Sequence, residues 1–245
     1  MYYNVDEQLL TFVGIWRKFM DTKHCKPAFE RADPVRRETV LQTGIDEFSA
    51  LGFENANINV IAKKAGISIG LMYKYFETKE DLFILCLEEA ISELHRVIAE
   101  VLDSDDKILD RAEKLIRAIQ KTSGKESRYV KLYNEITKMS GEKNVRYYAE
   151  QIESISYEAY AGFLAKAKEE GDIRSDCDER LFAFFFDSLL MTLQFSYTCD
   201  YYRERFRVYC GEDILEDDEK VVRELLKFLE SAFTFSREDV KKLEQ

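Results

Sequence analysis

The chain has 245 residues, of which 46% are hydrophobic and 34% charged, with only 10 glycines and 2 prolines. This composition excludes collagen-like, low-complexity and wholly disordered chains, and so few turn-forming residues argue against an all-β protein. We expect an all-α fold, whose formal net charge of −11 argues at first against a nucleic-acid partner.

The first predicted element is an N-terminal amphipathic helical extension, residues 1–33. Its apolar residues follow one helical face: Leu9, Phe12, Val13, Trp16 and Phe19. Because this stripe is too apolar to remain solvated, we expect a helix packed on the protein, against either the next domain or the helix after Thr78. A disordered leader is the alternative.

Three short helices are predicted next. Asp33-Pro34 is a favourable N-cap and first helical residue, and Gly52 ends that helix. Asn57 caps a second helix that runs to Ala65, and Gly66 allows a left-handed turn. A third helix, capped by Ser68, ends near Tyr75. Two short helices joined by a tight glycine turn predict a helix-turn-helix.

Longer helices follow this motif. Thr78 caps the first of them, with Asp81 at the capping-box position, and an apolar stripe continues to about residue 102. Later helices are predicted over about 105–121, 126–139, 142–170, 177–208 and 218–234. Residues 31–82 hold seven basic and eight acidic side chains, a net charge of −1, whereas the residues after 82 carry a net charge of −10. The change in charge indicates a compositional boundary near residue 82 to 100, and we place the domain boundary at 82.

The helix-turn-helix region resembles the TetR family of bacterial transcriptional regulators. The residues that carry this resemblance are Phe48, Gly52-Phe53, Ile61-Ala62, Ala65-Gly66-Ile67-Ser68, Gly70, Tyr73, Tyr75-Phe76, Lys79 and Leu82. The resemblance implies a helix-turn-helix DNA-binding domain at 34–82 and a helical ligand-binding and dimerisation domain at 83–245. It also implies a homodimeric repressor that binds a palindromic double-stranded operator and that a small molecule releases from the DNA.

The expected DNA contacts lie on and beside the second helix of the motif. Hydroxyl and ammonium groups there can reach phosphates, Gly70 allows close approach of the backbone, and helix N-termini favour anions. The predicted contacts are Asn57, Lys63, Ser68, Ile69, Gly70, Leu71, Tyr73, Lys74, Tyr75 and Lys79. For Tyr75 the alternative is packing in the core.

Two apolar residues depart from the family pattern. Position 69 usually carries a polar or basic side chain and position 71 a small polar one, but here they are Ile69 and Leu71. Such residues can contact only thymine methyl groups in the major groove. They motivate an alternative function, an interaction protein that retains the fold and uses this domain for protein contacts.

Aromatic residues crowd the C-terminal region and predict a ligand cavity. The proposed lining is Tyr129, Tyr133, Tyr148, Tyr157, Tyr160, Phe163, Phe185 and Phe195. An aromatic-rich helical core is the alternative for each of them. The expected effector is an apolar or aromatic small molecule, although Glu135, Glu153, Glu158 and Asp187 could face a cationic one if they are not simply solvated.

The last two long helices are predicted to form the dimer interface. The helix near 177–208 is apolar almost all round, and the final helix carries one apolar stripe. Two such helices from each subunit would form an isologous four-helix interface.

The remaining sequence signals are exclusions. Catalytic motifs such as G-x-S-x-G, a P-loop or H-E-x-x-H do not occur, so we expect no enzyme activity. Five cysteines without C-x-x-C spacing and two histidines predict neither a metal site nor a cofactor. An acidic N-terminus and an apolar stretch too short to span a bilayer predict a cytoplasmic protein that does not enter the membrane.

Overall fold

The computed structural model describes residues 24–102, 106–122, 127–138 and 142–234, apart from the side chains at 95, 97–100, 102, 142–145, 147, 148, 151, 152, 154 and 155. These residues form α-helices and one 3₁₀ turn, as the all-α prediction requires. The helices are α1 (Pro27–Glu30), α2 (Pro34–Asn55), α3 (Ile58–Lys64), α4 (Ile69–Tyr75), α5 (Lys79–Leu102), α6 (Ile108–Thr122), α7 (Ser127–Ile136), α8 (Glu142–Glu169), α9 (Glu179–Thr198), α10 (Asp200–Cys210) and α11 (Asp218–Thr234). The 3₁₀ turn, Glu212–Glu216, lies between α10 and α11.

Local sequence signals set the ends of the first helices. The Asp33 carboxylate accepts hydrogen bonds from the backbone N–H groups of Val35 and Arg36, at 3.1 and 3.2 Å. Thr78 and Asp81 form the predicted capping box, with Thr78 N–H donating to Asp81 Oδ2 at 2.9 Å and Asp81 N–H donating to Thr78 Oγ1 at 3.1 Å. These reciprocal bonds satisfy donors that have no partner within the helix.

The turn between α3 and α4 is a Schellman motif. Gly66 adopts φ = 71°, and the N–H groups of Gly66 and Ile67 donate to the carbonyls of Lys63 and Ala62 at 3.2 and 3.0 Å. Only glycine adopts this left-handed conformation without steric cost. Gly66 therefore fixes the direction in which α4 leaves α3.

Helices α1–α4 and the first half of α5 share one apolar core, and we call this unit the head. Phe48, Phe76 and Phe83 are fully buried in it, and the rings of Phe48 and Phe83 meet edge to face at 5.1 Å. Phe29 of α1 packs against the rings of Tyr75 and Phe76, at 5.2 and 4.8 Å. Residues 24–33, predicted as part of an extension, thus pack on the head.

The core of the head includes residues from beyond position 82. Leu87, Ala90 and Ile91 of α5, and Tyr129 and Leu132 of α7, belong to the same buried cluster. Packing is therefore continuous across the boundary that the charge distribution indicated.

A second core joins α6, α8, α9 and α11. Phe186 of α9 contacts the rings of Tyr160 and Phe233, at 5.3 and 5.9 Å between centroids. The N–H of Arg174 donates to the carbonyl of Phe233 at 2.7 Å and ties the end of α11 to the turn before α9.

The helix predicted over 177–208 is broken, so this part of the prediction is wrong. Cys199 is extended, with φ = −103° and ψ = 130°, and separates α9 from α10. Just before it, the hydroxyls of Ser196 and Thr198 donate to the carbonyls four residues earlier, at 2.8 Å each. Such bonds weaken and bend helices. By length and composition α9 could cross a membrane, but 39% of its most apolar window is buried in the fold, and a core helix passes the same test.

The predicted helix that carries the Leu9–Phe19 stripe lies outside the described residues. The other predicted helices occur close to their expected bounds. In α2, helical structure continues past the predicted end near residue 51, but Gly52 forms a kink with φ = 75° and ψ = 165°.

Candidate DNA interface and ligand cavity

The outer face of α4 is exposed and sparsely charged. Ser68, Gly70 and Lys74 are exposed, and Ile69 and Tyr73 expose 40% and 47% of their surface. The Ser68 hydroxyl accepts a hydrogen bond from Leu71 N–H at 3.1 Å and so caps the helix. An ideal Cβ at Gly70 would meet no atom within 4 Å. The space next to the Gly70 backbone is therefore open, and no other residue of the head packs into it.

Asn57 and Lys63 flank this face on α3. The Asn57 side chain accepts a hydrogen bond from Asn59 N–H at 2.9 Å, so Asn57 is the N-cap of α3, as predicted. Lys63 is exposed in the last turn of the helix. Its neighbour Lys64 instead forms an ion pair with the buried carboxylate of Glu47 in α2. Lys63 and Lys74 therefore supply the exposed positive charge next to the helix-turn-helix.

Lys79 has a different role from the predicted phosphate contact. Its Nζ donates to the backbone carbonyls of Phe53, Glu54 and Ala56, at 2.8, 3.2 and 3.2 Å. The same ammonium lies 4.6 Å from the centroid of the Phe53 ring. Since an ammonium has three N–H groups, all of its donors are used at the C-terminal end of α2, where a cation is favoured.

Two predicted contacts face the core. Tyr75 is only 3% exposed and packs on Phe29, so its prediction as a DNA contact is wrong and the alternative of packing holds. Leu71 is half-buried against the core of the head, which leaves only part of its side chain accessible. Leu71 and Tyr75 are four residues apart, so they lie on the same face of the helix, next to the buried Met72.

Residues before α1 hold the C-terminal end of α4. Lys26 N–H donates to the carbonyl of Tyr75 at 2.7 Å, and Lys26 Nζ donates to the carbonyl of Tyr73 at 3.0 Å. The same ammonium forms an ion pair with Glu77 at 2.5 Å. These bonds satisfy carbonyls that have no partner within the helix and fix the orientation of α4 on the head.

A cavity of about 80 Å³ lies between α5, α6, α7, α8 and α9. Its described lining is mostly apolar: Ile91, Leu94, Leu115, Ala118, Ile119, Thr122, Tyr133, Ser156, Tyr160, Asp187, Leu190, Met191 and Gln194. A drug-sized ligand needs a site of roughly 300 to 1,000 Å³. The cavity therefore admits only a compact group unless the helices around it move.

Acidic and phenolic groups meet in this cavity. The Tyr133 hydroxyl donates to Glu153 Oε1 at 2.9 Å and lies 3.6 Å from Met191 Sδ. Removal from water, together with the charge of Glu153, raises the pKa of Asp187 from 3.8 to about 6. Loss of water also raises the pKa of Glu153, although the Tyr133 hydroxyl lowers it in part. Burial raises the pKa of Tyr133 and Tyr160, so both hydroxyls remain protonated.

The predicted ligand residues do not gather at one site. Tyr133 and Tyr160 line the cavity, whereas Tyr129 packs in the core of the head and Phe195 packs with Val130 and Cys199. The cavity prediction is wrong for Tyr129 and Phe195, because α7 and α9 turn these rings toward other helices.

Three further predicted residues also lie away from the cavity. Phe163 is buried beneath the guanidinium of Arg111, 5.0 Å from its ring centroid. Tyr157 and Phe185 are exposed by 42% and 56%. The side chain of Tyr148 lies outside the description. Residues that aromatic crowding did not indicate, such as Met191, Ser156 and Gln194, take their places in the lining. Met191 and Gln194 follow Asp187 by four and seven residues on α9, and Ser156 precedes Tyr160 by four on α8, so helical spacing is the signal that could have found them.

Helix α7 connects this cavity to the head. Tyr133 faces the cavity, and two residues later Glu135 Oε2 accepts a hydrogen bond from the N–H of Phe53 at 3.3 Å. Near the start of α7, Arg128 forms an ion pair with Asp46 of α2 at 2.6 Å. One ten-residue helix thus contacts both the cavity and the last turns of α2.

Comparison with known proteins identifies this architecture. The family described as "Bacterial regulatory proteins, tetR family" matches residues 40–86, which contain α3, α4 and the Schellman turn. Residues 40–86 thus carry the helix-turn-helix region of the TetR family. The matched residues lie within the head, so the match covers the DNA-binding domain of the family and not the helices that follow it.

Several named relatives are HTH-type transcriptional regulators. The HTH-type transcriptional regulator BetI of Stenotrophomonas maltophilia is 33% identical over 67 residues, which are 27% of this chain and 34% of that protein. The chain spans about a third of the length of the curated relatives that it matches first.

Solved structures of TetR-like regulators share the fold over most of the chain. FadR from Bacillus subtilis, in complex with stearoyl-CoA, superposes with a TM-score of 0.61 at 19% identity, over 77% of this chain and 96% of that one. AibR, in complex with isovaleryl coenzyme A and operator DNA, gives a TM-score of 0.53 at 15% identity, over 66% and 85% of the two chains. At such identities the likeness is one of fold alone.

Proposed function

We propose that this TetR-family chain is a cytoplasmic transcriptional regulator without enzyme activity. It acts as a repressor, binds a palindromic operator as a homodimer and is released by a small molecule. The observation that carries the proposal is the free face of α4, where Ser68, Gly70, Tyr73 and Lys74 are exposed on a helix held rigidly by Lys26 and Gly66. The operator complex of AibR, a protein of the same fold, supports it.

The head would place the N-terminal half of α4 in the major groove. Tyr73, Lys74 and Lys63 then contact phosphates, together with the N-terminus of α3 at Asn57, and these contacts position the head without reading sequence. Ile69 supplies apolar contact with thymine methyl groups, helped by the accessible part of Leu71. Tyr75 and Lys79 hold the head together and do not contact DNA.

A homodimer would form through the outer faces of α9 and α11. Leu181, Phe184 and Phe185 of α9 are 54%, 63% and 56% exposed, and Phe228 of α11 is 58% exposed. Phe182 and Phe186, on the other side of α9, contact Phe233 of α11. Side-by-side helices with an apolar outer surface suit an isologous four-helix interface, which would set the distance between the two α4 helices.

Release by ligand would pass through α7. A ligand that enlarges the cavity displaces Tyr133, and the rigid helix transmits this movement to Glu135 and Arg128, which hold α2. The two heads then no longer match half-sites spaced by one helical turn of about 34 Å. By linkage, operator DNA weakens ligand binding by the same factor.

Binding to DNA is the direct test. Fluorescence anisotropy with the DNA upstream of the chain's own coding sequence should show dimeric, salt-sensitive binding. Tyr73→Phe should weaken binding to specific and random DNA alike, because a phosphate contact carries no base information. Absence of DNA binding under low salt would contradict the proposal.

The alternative is an interaction protein that uses the head for protein contacts. The 40% exposure of Ile69 favours it, because an apolar side chain there suits a protein surface. Leu71, however, is half-buried, so the two residues do not form one exposed patch. Loss of DNA binding in Lys74→Ala together with retention in Ile69→Ser would argue against this alternative.

A further inference from the structure

The cavity between α5 and α9 contains negative charge that no described residue neutralises. Asp187 lines it, and its carboxylate makes no hydrogen bond or ion pair with any described residue. Glu153 lies outside the lining and is exposed, and it accepts a hydrogen bond from the neutral phenol of Tyr133. Lysine, arginine and histidine do not occur among the described lining residues. A carboxylate in an apolar cavity is costly unless a positive charge approaches it.

A second, independent observation points into the same space. Tyr160 is only 2% exposed and lines the cavity, and its hydroxyl has no hydrogen-bond partner among the described residues. Its oxygen is not one of the fully enclosed polar atoms that lack a partner, so the hydroxyl is accessible from the cavity. The rings of Tyr133 and Tyr160 also offer π-faces, which attract cations. The cavity thus contains acceptors and aromatic faces, the groups that recognise an ammonium.

We propose that the effector site takes a small organic cation, an ammonium with a short apolar substituent, whose positive charge is bound by Asp187. The inference rests on the proposed function and assigns its ligand class. The fatty-acyl thioesters named for FadR and AibR are anionic, and their phosphates would be repelled here.

The apolar lining argues for an organic cation over a metal ion. A hard metal ion needs about six oxygen ligands, whereas Ile91, Leu115 and Leu190 form much of the wall. The volume of about 80 Å³ is roughly half that of a 150 Å³ cavity known to hold benzene. Compact cations therefore fit best, and Met191, an adaptable side chain, can move to admit slightly longer ones.

The test compares ligands that differ only in the charged group. The full-length protein, without DNA, is titrated in a calorimeter with n-butylammonium, 1-butanol and butanoate, and with the three n-hexyl congeners. We expect the ammonium of each length to bind at least about tenfold more tightly than the alcohol, and the carboxylate to bind most weakly. Equal or tighter binding of an alcohol or a carboxylate, or no binding of either ammonium, would overturn the proposal.

Variants assign the charge recognition to the cavity. Asp187→Asn should weaken ammonium binding about tenfold and leave alcohol binding within about twofold. Tyr160→Phe, which keeps the ring, should weaken ammonium binding about fivefold. Glu158→Gln is the matched control, since it removes a carboxylate from an exposed position on α8 and should change nothing. An Asp187→Asn protein that still prefers ammonium to alcohol would disprove the assignment.

This outcome is separable from that of the proposed function. Ammonium binding is measured on the free protein, whereas operator binding is measured by anisotropy. If the protein binds DNA but prefers alcohols, the proposed regulatory function stands and the proposed ligand class is wrong. If the protein binds ammonium but no DNA, the ligand class stands and the proposed regulatory function is wrong.

Discussion

At the scale of single residues, the same residue type serves different purposes a few positions apart. Lys74 is exposed, whereas Lys79 is bonded to three backbone carbonyls of α2 and to the Phe53 ring. Lys74 lies in the last turn of α4 and Lys79 begins α5, and composition alone does not distinguish them. Their partners predict opposite effects of the same substitution.

Replacing each lysine by methionine should separate stability from DNA binding. Lys79→Met should lower the free energy of unfolding by about 1 to 3 kcal/mol, because three carbonyls lose a charged donor, while Lys74→Met leaves it unchanged. In DNA binding, Lys74→Met should reduce the salt-dependence slope by about one and Lys79→Met should not. Urea unfolding and anisotropy at several salt concentrations measure both effects. A reduced slope for Lys79→Met alone would contradict these roles.

A second residue-scale prediction concerns Asp187. Its pKa is raised from 3.8 to about 6 by loss of water and by the charge of Glu153, so the folded protein binds this proton more tightly than the unfolded chain does. Stability is therefore lost as the pH rises from about 4 to above 6. Asp187→Asn should remove this loss and stabilise the protein at about pH 7.5 by roughly 1 to 3 kcal/mol, with little effect near pH 4.

Thermal unfolding across this pH range measures the difference, with Glu158→Gln as the control. A stabilisation that does not depend on pH would show that the charge of Asp187 is not its cause. Removal of a charge that destabilises the fold but recognises a ligand is a known form of trade-off between stability and function.

At the scale of helices, local signals predicted the head well and tertiary contacts decided the rest. Capping residues such as Asp33, Asn57, Ser68 and Thr78 act within one turn, so the sequence alone located the starts of α2 to α5. The inward orientation of Tyr75 depends instead on Phe29, far away in the chain. Likewise, the split of the predicted 177–208 helix depends on side-chain bonds at Ser196 and Thr198, which leave little trace in hydrophobic periodicity.

The candidate site follows the same division. Residues of the exposed face of α4 were predictable because their spacing carries the family resemblance. The cavity was not, because its lining comes from five helices, and aromatic crowding cannot tell which helix face meets which neighbour. Tyr129 and Tyr133, one turn apart on α7, lie in the core of the head and in the cavity respectively.

Contact between α7 and α2 can be tested through Gly52. Its φ of 75° disfavours any side chain, and an added Cβ would lie 2.8 Å from Glu135 Oε2. Displacing this carboxylate costs its bond to Phe53 N–H. Gly211 has φ = 99° but nothing within 4 Å of an added Cβ, so it is the matched control. Gly52→Ala should destabilise by about 1 to 2 kcal/mol more than Gly211→Ala.

A double-mutant cycle assigns this excess to Glu135. If Glu135 is first replaced by alanine, Gly52→Ala should cost only as much as Gly211→Ala, since the hydrogen bond is already absent. Additive free energies of unfolding would mean that Glu135 and Gly52 do not interact, and the proposed transmission through α7 would lose its contact with the head.

At the scale of the whole molecule, the proposed dimer depends on exposed aromatic residues of α9. Phe184→Glu should place a charge in the centre of the interface and convert the dimer into a monomer, because an unpaired buried charge costs several kcal/mol. Val208→Glu on α10, where the side chain is 83% exposed, is the control and should remain dimeric. Light scattering of the purified proteins measures both masses.

Operator affinity should follow the oligomeric state. A monomer has one head and can contact only one of the two half-sites of the operator. Phe184→Glu should therefore bind operator DNA far more weakly than the Val208→Glu control does. A monomeric Phe184→Glu protein with unchanged operator affinity would contradict the proposed mode of binding.

The shared packing of α7 also restricts how this protein can be recombined. Tyr129 and Leu132 complete the core that surrounds Phe48 and Phe83. A chimeric biosensor made by joining residues 24–82 to the sensing half of another regulator would leave the Phe48 ring without Phe83 and facing a foreign helix. The transferable unit is therefore discontinuous in the sequence, and a working graft must carry the matching face of α7 along with the helix-turn-helix.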